Sequence, residues 1–236
     1  MGEFCKKMSA FDYFEEIVCI NLDRRTDRWE LMQKEFDKIN ILDRVRRFSA
    51  VENVDGQKGC FESHIQCILN ARKNKLKNIL IFEDDVVFLP CYDERKIKNS
   101  IDTLKDNYWE FYYLGGLERR IKPRKVYERL RNDFKGDFDE KHSYTMKANS
   151  VGWAQSYAVN NTIYDKIYED YHDGLWDALT KKFGKRTGGA DKYYQFILCP
   201  QTFASVPSLT SQYDITSDLS PTHTNTRLRI SLYKNK

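Results

Sequence analysis

Three consecutive acids, Glu83, Asp84 and Asp85, lie between two apolar runs of the sequence, at 79–82 and 86–89. Apolar flanks predict burial. Each buried, unpaired carboxylate costs several kcal/mol, and neighbouring like charges raise one another's pKa. A divalent cation removes both penalties, because hard oxygen ligands suit Mg²⁺ or Mn²⁺, which can also bridge to diphosphate oxygens. The trio therefore predicts a metal site that holds a diphosphate-bearing ligand. A surface turn that carries three solvated acids is the alternative interpretation.

The spacing of the trio separates the roles of its members. Side chains alternate along an extended chain, so Glu83 and Asp85 are expected to share one face while Asp84 points to the other. We therefore predict Asp85 as the direct metal ligand. Glu83 or Asp84 is expected to contact a ribose, or to reach the metal through water.

A second polar cluster, from Asn21 to Arg28, follows the first apolar run and opens a helical pattern. Helix N-termini attract anions, and arginine can donate two parallel hydrogen bonds to a phosphate. The cluster therefore predicts an anion-binding turn. Taken alone, a charged helix cap with solvated arginines is the simpler interpretation.

The elements that must position both clusters alternate between strand and helix. Strands are predicted at 16–22, 45–51, 79–82, 111–114 and 151–159. Apolar residues at helical spacing indicate helices over 29–39 and 61–76, with Asp23 or Thr26 as the cap of the first. Such alternation predicts an α/β fold with a mainly parallel sheet flanked by helices. Ligands bind beyond the carboxyl ends of parallel strands, where both clusters lie.

Later segments carry weaker signals. Residues 117–147 are crowded with charge and are predicted to be a solvated excursion or a lid. Gly188 and Gly189 form a hinge-like break before Asp191. From Pro207 onward the chain is rich in serine and threonine, and it is predicted to wrap over the surface as a tail.

Composition and charge exclude several classes of protein. Hydrophobic residues make up 41% of the 236 residues, which indicates a folded globule, here assigned as a single domain over 1–236. The 39 basic residues barely exceed the 35 acidic ones, and the signs are mixed, so no nucleic-acid partner is expected. No apolar stretch approaches the roughly 18 residues of a membrane span, and the start lacks a signal-peptide pattern. Because six cysteines include no C-x-x-C pair, we predict a reducing, cytoplasmic location, with peripheral attachment to a membrane left open.

Several segments in a fixed order carry a family resemblance. They are Ile20 to Arg28, Phe48 to Val51, Gly59 to His64, Ile81 to Val86, Tyr113 to Gly116, and Pro207 to Gln212 followed by Ser217 and Asp218. In this order they resemble glycosyltransferase family 25, which includes lipopolysaccharide galactosyltransferases and collagen hydroxylysine galactosyltransferases. The resemblance covers about residues 16–218, is strongest in its first third, and includes nothing between 117 and 147.

The resemblance implies a GT-A fold of Rossmann-like type, a UDP-sugar donor, a Mn²⁺ or Mg²⁺ cofactor, and inversion at the anomeric carbon. The nucleotide-binding half is then expected at about 14–116, the acceptor half at about 117–218 and a wrapping tail at 219–236. The residues assigned to nucleotide or donor binding are Asn21, Leu22, Asp23, Arg25, Arg28, Ser63, His64 and Asp84. Asp84 and Asp85 are also assigned to the metal.

Inverting transfer has two further chemical needs. A base must deprotonate the acceptor hydroxyl, and an electrophile must stabilise the departing diphosphate. The cation meets the second need. For the first we predict Asp191, with Glu83 as the other catalytic acid; an N-cap role is the alternative for Asp191. His223, which follows the closing motif, is a further predicted metal ligand, with a solvated tail histidine as the alternative.

Cys60, His64 and Cys67 stand at positions i, i+4 and i+7 of a predicted helix and could form half of a zinc site. Three ligands that all lie on one helix give poor tetrahedral geometry. A packed helix face is therefore the preferred interpretation.

These observations predict a metal-dependent, inverting glycosyltransferase. It is expected to move galactose or glucose from a UDP-sugar to a hydroxyl group on a glycan, a lipopolysaccharide or a hydroxylysine-bearing protein. One alternative is a metal-dependent phosphodiesterase or nucleotidyltransferase that uses the same acids. Another is a carbohydrate-binding descendant of the fold without catalytic activity.

Overall fold

The computed structural model describes residues 9–118, 144–148, 151–184 and 189–213. The strands are β1 (Glu16–Asn21), β2 (Val45–Ser49), β3 (Asn78–Glu83), β4 (Val86–Phe88), β5 (Phe111–Tyr113), β6 (Leu117–Glu118), β7 (Tyr144–Ala148), β8 (Val151–Gly152), β9 (Ser156–Asn160), β10 (Thr202–Val206) and β11 (Thr210–Gln212). The helices are α1 (Thr26–Lys38), α2 (Gly56–Lys73), α3 (Glu94–Lys105), α4 (Tyr164–His172), α5 (Leu175–Phe183) and α6 (Ala190–Tyr193), which continues as a π-helical turn, Tyr194–Leu198. Short 3₁₀ segments lie at Ala10–Tyr13, Leu42–Arg44 and Asn161–Ile163.

The central sheet of the described chain has seven strands in the order β2-β1-β3-β9-β5-β10-β7. β1 runs parallel to β2 and β3, and β5 runs parallel to β10. β9 is antiparallel to both β3 and β5, and β7 is antiparallel to β10. Thus β9 and β7 run against the other strands. The predicted α/β class, with a mainly parallel sheet flanked by helices, is confirmed.

Helices cover both faces of the sheet, which explains the continuous apolar runs of its inner strands. Val18 and Ile20 of β1 pack with α2 and α4 on one face, whereas Ile17 and Cys19 pack with α1 and α3 on the other. All four residues are buried. A strand that is covered on both faces cannot alternate apolar with polar side chains. Polar residues are therefore confined to the strand ends, where the candidate site lies.

The two helices beside the site begin at residues other than those predicted. α1 begins at Thr26 with Arg25 as its N-cap, and no side chain caps it, so the predicted caps at Asp23 and Thr26 are wrong. α2 begins at Gly56, because the Asp55 side chain accepts hydrogen bonds from the backbone N–H groups of its first turn. The apolar pattern missed this start because that first turn carries no apolar side chain.

The predicted strand at 151–159 is interrupted in the structure. Trp153 has a φ of 70°, in the left-handed region, so the chain turns there and divides the segment into β8 and β9. Of the predicted charged excursion at 117–147, residues 119–143 lie outside the described residues.

Residues 208–213, the described part of the chain after Pro207, do not form the surface tail that their serine and threonine content predicted. Leu209 and Thr210 are buried, and β11 pairs antiparallel with β4. The polar side chains fit this buried position because they find partners; the Thr210 hydroxyl, for example, lies within hydrogen-bonding distance of the Ser156 hydroxyl. Ser217, Asp218 and the predicted tail at 219–236 lie outside the described residues.

The described helices include none that is both long enough and apolar enough to cross a membrane.

Candidate functional site

The site lies where β1 and β3 end next to each other. The parallel register pairs Ile20 of β1 with Glu83 of β3, so the residues that follow each strand emerge at the same edge of the sheet. Asn21 closes β1, and the turn at Asp84 and Asp85 follows β3. The fold therefore brings together the two polar clusters that are separated by more than 50 residues in the sequence.

Asp84 faces α1 and is held by two partners. Its carboxylate accepts a hydrogen bond from Asn21 Nδ2 at 2.6 Å and one from Arg28 Nη1 at 2.6 Å. The side chains of Arg28 and Asp84 are only 11% and 12% exposed. Arg47 completes the arrangement by donating from Nε to Asn21 Oδ1 at 2.9 Å. The Asp84 charge is thus compensated within the protein, at a buried ion pair with further hydrogen bonds.

Glu83 and Asp85 face the other side of the turn, as alternation predicted. Gln212 Nε2 donates to Glu83 Oε2 at 3.1 Å and lies 3.4 Å from Asp85 Oδ1. The next residue, Tyr213, donates its backbone N–H to the Asp85 carbonyl oxygen at 2.7 Å and its hydroxyl to Glu35 Oε1 at 2.6 Å. The end of β11 and the residue after it therefore hold the acid turn, which is formed by Asp84 and Asp85 after β3, in place.

The environment of Asp85 favours its neutral form. Burial and the negative charge of Glu83 raise the pKa of Asp85 to about 8, although the Arg28 guanidinium acts in the opposite direction. Two carboxylates thus face the same amide, and burial together with the Glu83 charge disfavours ionisation of Asp85. A bound cation would reverse this preference, because it stabilises the ionised carboxylate.

His64 connects the acids to the core of the protein. Its Nε2 lies 3.1 Å from Glu83 Oε1, and its Nδ1 lies 2.9 Å from the Tyr157 hydroxyl. The Tyr157 hydroxyl in turn lies 3.0 Å from that of Tyr194. Burial acts to lower the pKa of His64, but Cys60 and Glu83 outweigh it and raise that pKa to about 10.

A cavity of about 620 Å³ opens in front of these groups. Its walls are the end of β1, the acid turn, the first turns of α2 and the loop 50–54. Ser63 holds the loop in place, since its hydroxyl accepts from the Val51 backbone N–H at 2.8 Å and donates to the Gly59 carbonyl oxygen at 2.7 Å. Gly59 permits this close approach, because a Cβ there would lie 2.5 Å from the Val51 carbonyl oxygen.

The structure brings most of the predicted binding residues to this cavity. Those that line it are Asn21, Leu22, Arg28, Ser63, His64, Glu83, Asp84 and Asp85. Asp23 and Arg25 are not among the lining residues. The carbonyl oxygen of Asp23 accepts a hydrogen bond from Arg47, and the Arg25 guanidinium pairs with Asp27 at 2.8 Å. These two residues shape the turn between β1 and α1.

Asp191 is not brought to the cavity by the structure. Asp191 Oδ2 accepts from the Trp153 backbone N–H at 3.1 Å, and Asp191 does not line the cavity. The N-cap of α6 is Gly189, so the N-cap alternative for Asp191 is wrong. His223 lies outside the described residues. The catalytic role of Asp191 and the metal role of His223 stay predictions.

Three residues of the site were missed in the sequence. Gln212 ended one of the segments that carry the resemblance and lay within the predicted tail, Arg47 lay within a predicted strand, and Tyr157 was one of many aromatic residues, so none of them was assigned a role. Cys60 and His64 were interpreted as part of a packed helix face. Their side chains instead meet Glu83, and their ligand atoms and its carboxylate lie within 4.8 Å of one another.

The chain was compared with protein families, with curated proteins and with solved structures. Residues 54–173 match the model of glycosyltransferase family 25, described as an LPS biosynthesis protein family. A glycosyltransferase 25 family member of Drosophila melanogaster is 26% identical over 136 residues, which are 46% of this chain and 22% of that protein. Human procollagen galactosyltransferase 2 is 27% identical over 160 residues, 53% of this chain and 24% of that protein. The alignments thus span about a quarter of the length of these relatives. A solved glycosyltransferase involved in glycosylation of the major capsid of PBCV-1 is 9% identical, with a TM-score of 0.46, over 80% of this chain and 79% of that chain.

Proposed function

The chain belongs to glycosyltransferase family 25, and we propose that it transfers a hexose, galactose or glucose, from a UDP-sugar to a hydroxyl acceptor with the help of Mn²⁺ or Mg²⁺. The observation that carries this proposal is the pair Glu83 and Asp85 in the wall of one cavity at the carboxyl ends of β1 and β3. Open α/β sheets bind their ligands at this edge. The cavity volume of about 620 Å³ also suits a ligand of nucleotide-sugar size.

The residues present fit a hard divalent cation. Asp85 and Glu83 offer carboxylate oxygens on one side of the turn, and the raised pKa of Asp85 is a consequence of their like charges in a buried position. Mg²⁺ and Mn²⁺ are often held by one or two carboxylates together with substrate phosphates. We assign Asp85 as the direct ligand. When bound, the cation would stabilise the charge that develops on the departing diphosphate.

Asp84 serves the site differently from its neighbours. Asp84 is paired with Arg28 and Asn21, and these contacts hold the first turn of α1 against the turn at Asp84 and Asp85. Its assignment as a metal ligand stays a prediction. Arg28 and Arg24 both line the cavity, paired with Asp84 and Glu52, and each guanidinium has five N–H donors, some of which a diphosphate could share.

The proton acceptor of the transfer must lie within hydrogen-bond reach of the acceptor hydroxyl. Of the two predicted catalytic acids, Glu83 lines the cavity, whereas Asp191 is bound to the Trp153 backbone. We therefore favour Glu83 as the base. His64 beside it can hold a proton at Nε2 and so keep the Glu83 carboxylate oriented.

The names of the relatives support the proposed donor sugar and acceptor class. The name of the human relative refers to galactose transfer to procollagen, and the family description refers to lipopolysaccharide biosynthesis. These names support galactose as the donor sugar and a hydroxyl group on a glycan, a lipopolysaccharide or a hydroxylysine-bearing protein as the acceptor.

The alternative of a phosphodiesterase or nucleotidyltransferase needs two cations and further converging carboxylates. The one other acid among the described residues that line the cavity is Glu52, which pairs with Arg24 at 3.1 Å. The described geometry therefore gives that alternative no support.

A screen of UDP-sugars tests the proposal. The chain is incubated with each sugar in Mn²⁺ or in EDTA, with and without acceptors, and released UDP is measured. We expect release that depends on Mn²⁺ and on one hexose, and stabilisation of the fold by UDP with Mn²⁺, about 2.7 kcal/mol at a hundredfold excess over Kd. Asp85→Asn is expected to lose both, whereas the exposed control Asp173→Asn retains them. If no UDP-sugar is turned over and UDP with Mn²⁺ leaves the melting temperature unchanged, the proposal is wrong.

A further inference from the structure

Cys60, His64 and Glu83 form a cluster of three chemically different ligands in the cavity wall. Their thiol, imidazole and carboxylate atoms all lie within 4.8 Å of one another. Tetrahedral Zn²⁺ with bonds of about 2.0–2.3 Å holds its ligand atoms roughly 3.5 Å apart. The Nε2 atom of His64 and Oε1 of Glu83 are already 3.1 Å apart, so the three side chains lie close to the spacing of three zinc ligands.

The backbone supplies these ligands from two rigid elements. Cys60 and His64 are four residues apart on α2 and therefore share one face of the helix, while Glu83 ends β3. Three ligands on one helix would give poor tetrahedral geometry. That objection does not apply here, because the third ligand comes from a strand and not from the same helix. Cys67, the third member of the sequence pattern, is buried in the core.

We propose that Cys60, His64 and Glu83 bind Zn²⁺, with the fourth position open to the cavity, and that zinc bound there inhibits the transferase. Zinc binds the thiolate and the neutral imidazole, so the Cys60 proton and the proton at His64 Nε2 both leave to the solvent. The inhibitory part rests on the proposed function, since it follows from the use of Glu83 as a zinc ligand beside Asp85. The binding part does not depend on that function.

Tyr157 provides the outer contact that such a histidine ligand requires. Ligating histidines use the second ring nitrogen in a hydrogen bond that fixes the tautomer and the orientation of the ring. The Tyr157 hydroxyl lies 2.9 Å from His64 Nδ1, which leaves Nε2 directed to Glu83. His64 and Tyr157 are both buried, so this orientation is held by packing as well as by the hydrogen bond.

The ligand set also separates this site from the hard-cation position at Asp85. A thiolate together with an imidazole favours zinc over Mn²⁺ and Mg²⁺, which prefer oxygen ligands. The two positions share the Glu83 side of the cavity. Zinc is therefore expected to inhibit even when Mn²⁺ is in excess.

Titration of the metal-free full chain with Co²⁺ tests the binding. Co²⁺ substitutes for zinc and gives a thiolate-to-metal absorption band when a cysteine coordinates it. We expect one equivalent to produce the band, zinc to abolish it, and Cys60→Ser to lose it, whereas the exposed control Cys199→Ser retains it. Tyr157→Phe is expected to weaken binding roughly 10–100-fold while the band is still reached at high Co²⁺.

A second measurement needs no variant. Zinc is expected to slow alkylation of Cys60, but not of Cys199, in the wild-type chain. Absence of the band together with unprotected Cys60, or an unchanged band in Cys60→Ser, overturns the site. If the band is present but zinc leaves the rate of sugar transfer in Mn²⁺ unchanged, the inhibitory part is wrong and the binding site stands.

Discussion

Asp85→Asn is expected to stabilise the ligand-free protein while it removes the carboxylate that we propose as the cation ligand. Burial and the charge of Glu83 raise the pKa of Asp85 from 3.8 to about 8. Asparagine keeps the size of the side chain and still offers an oxygen to Gln212, but it cannot ionise. The variant therefore keeps the favourable neutral contact and loses the unfavourable charge.

The pH dependence of this effect follows from the direction of the shift. The folded-state pKa lies above the unfolded one, so the contribution of Asp85 is fully present below about pH 4 and is lost as the pH rises towards about 8. At about 1.4 kcal/mol per pKa unit, the full shift corresponds to on the order of 6 kcal/mol. Because the side chain is half-buried and shares its charge with Glu83, we expect a difference of roughly 2–4 kcal/mol at about pH 8.

Urea unfolding in EDTA, followed by tryptophan fluorescence, measures this difference. Wild type and Asp85→Asn are compared at about pH 4 and about pH 8, and the gap in unfolding free energy is expected to open only at the higher pH. The exposed control Asp173→Asn is expected to stay within about 0.5 kcal/mol of wild type at both. If Asp85→Asn is less stable than wild type by the same amount at every pH, the carboxylate is not destabilised by its surroundings and the reasoning fails.

Two further predictions concern the elements that hold the site. Arg28→Met leaves the Asp84 charge buried without its ion-pair partner and is expected to lower the free energy of unfolding in urea by about 3–5 kcal/mol. Adding Asp84→Asn is expected to recover a large part of that loss. Equal losses in the single and double variants would contradict a buried ion pair. Gly115→Ala places a Cβ 2.3 Å from the Thr210 carbonyl oxygen and is expected to cost about 1–3 kcal/mol by the same assay, so an unchanged midpoint would mean that β11 is not packed there.

Local patterns in the sequence predicted the helix-covered sheet and the position of the three acids at the end of β3. The unbroken apolar runs of β1 and β3 require burial on both faces, which only a helix-covered sheet provides. Three acids after such a strand must lie at its carboxyl end, and alternation assigned Asp84 to one side and Asp85 to the other. These conclusions needed only residue types and their spacing, because each depends on contacts within a few residues.

The partners of those acids were decided by tertiary structure. Arg28 neutralises Asp84, and Gln212, which the local pattern assigned to a surface tail, instead reaches Asp85. The cluster of Cys60 with Glu83 likewise joins a helix to a strand. No spacing encodes such contacts, because they arise from the order in which strands join the sheet and from how helices pack on it. The sequence therefore located the charges, and the fold determined which of them are neutralised by the protein.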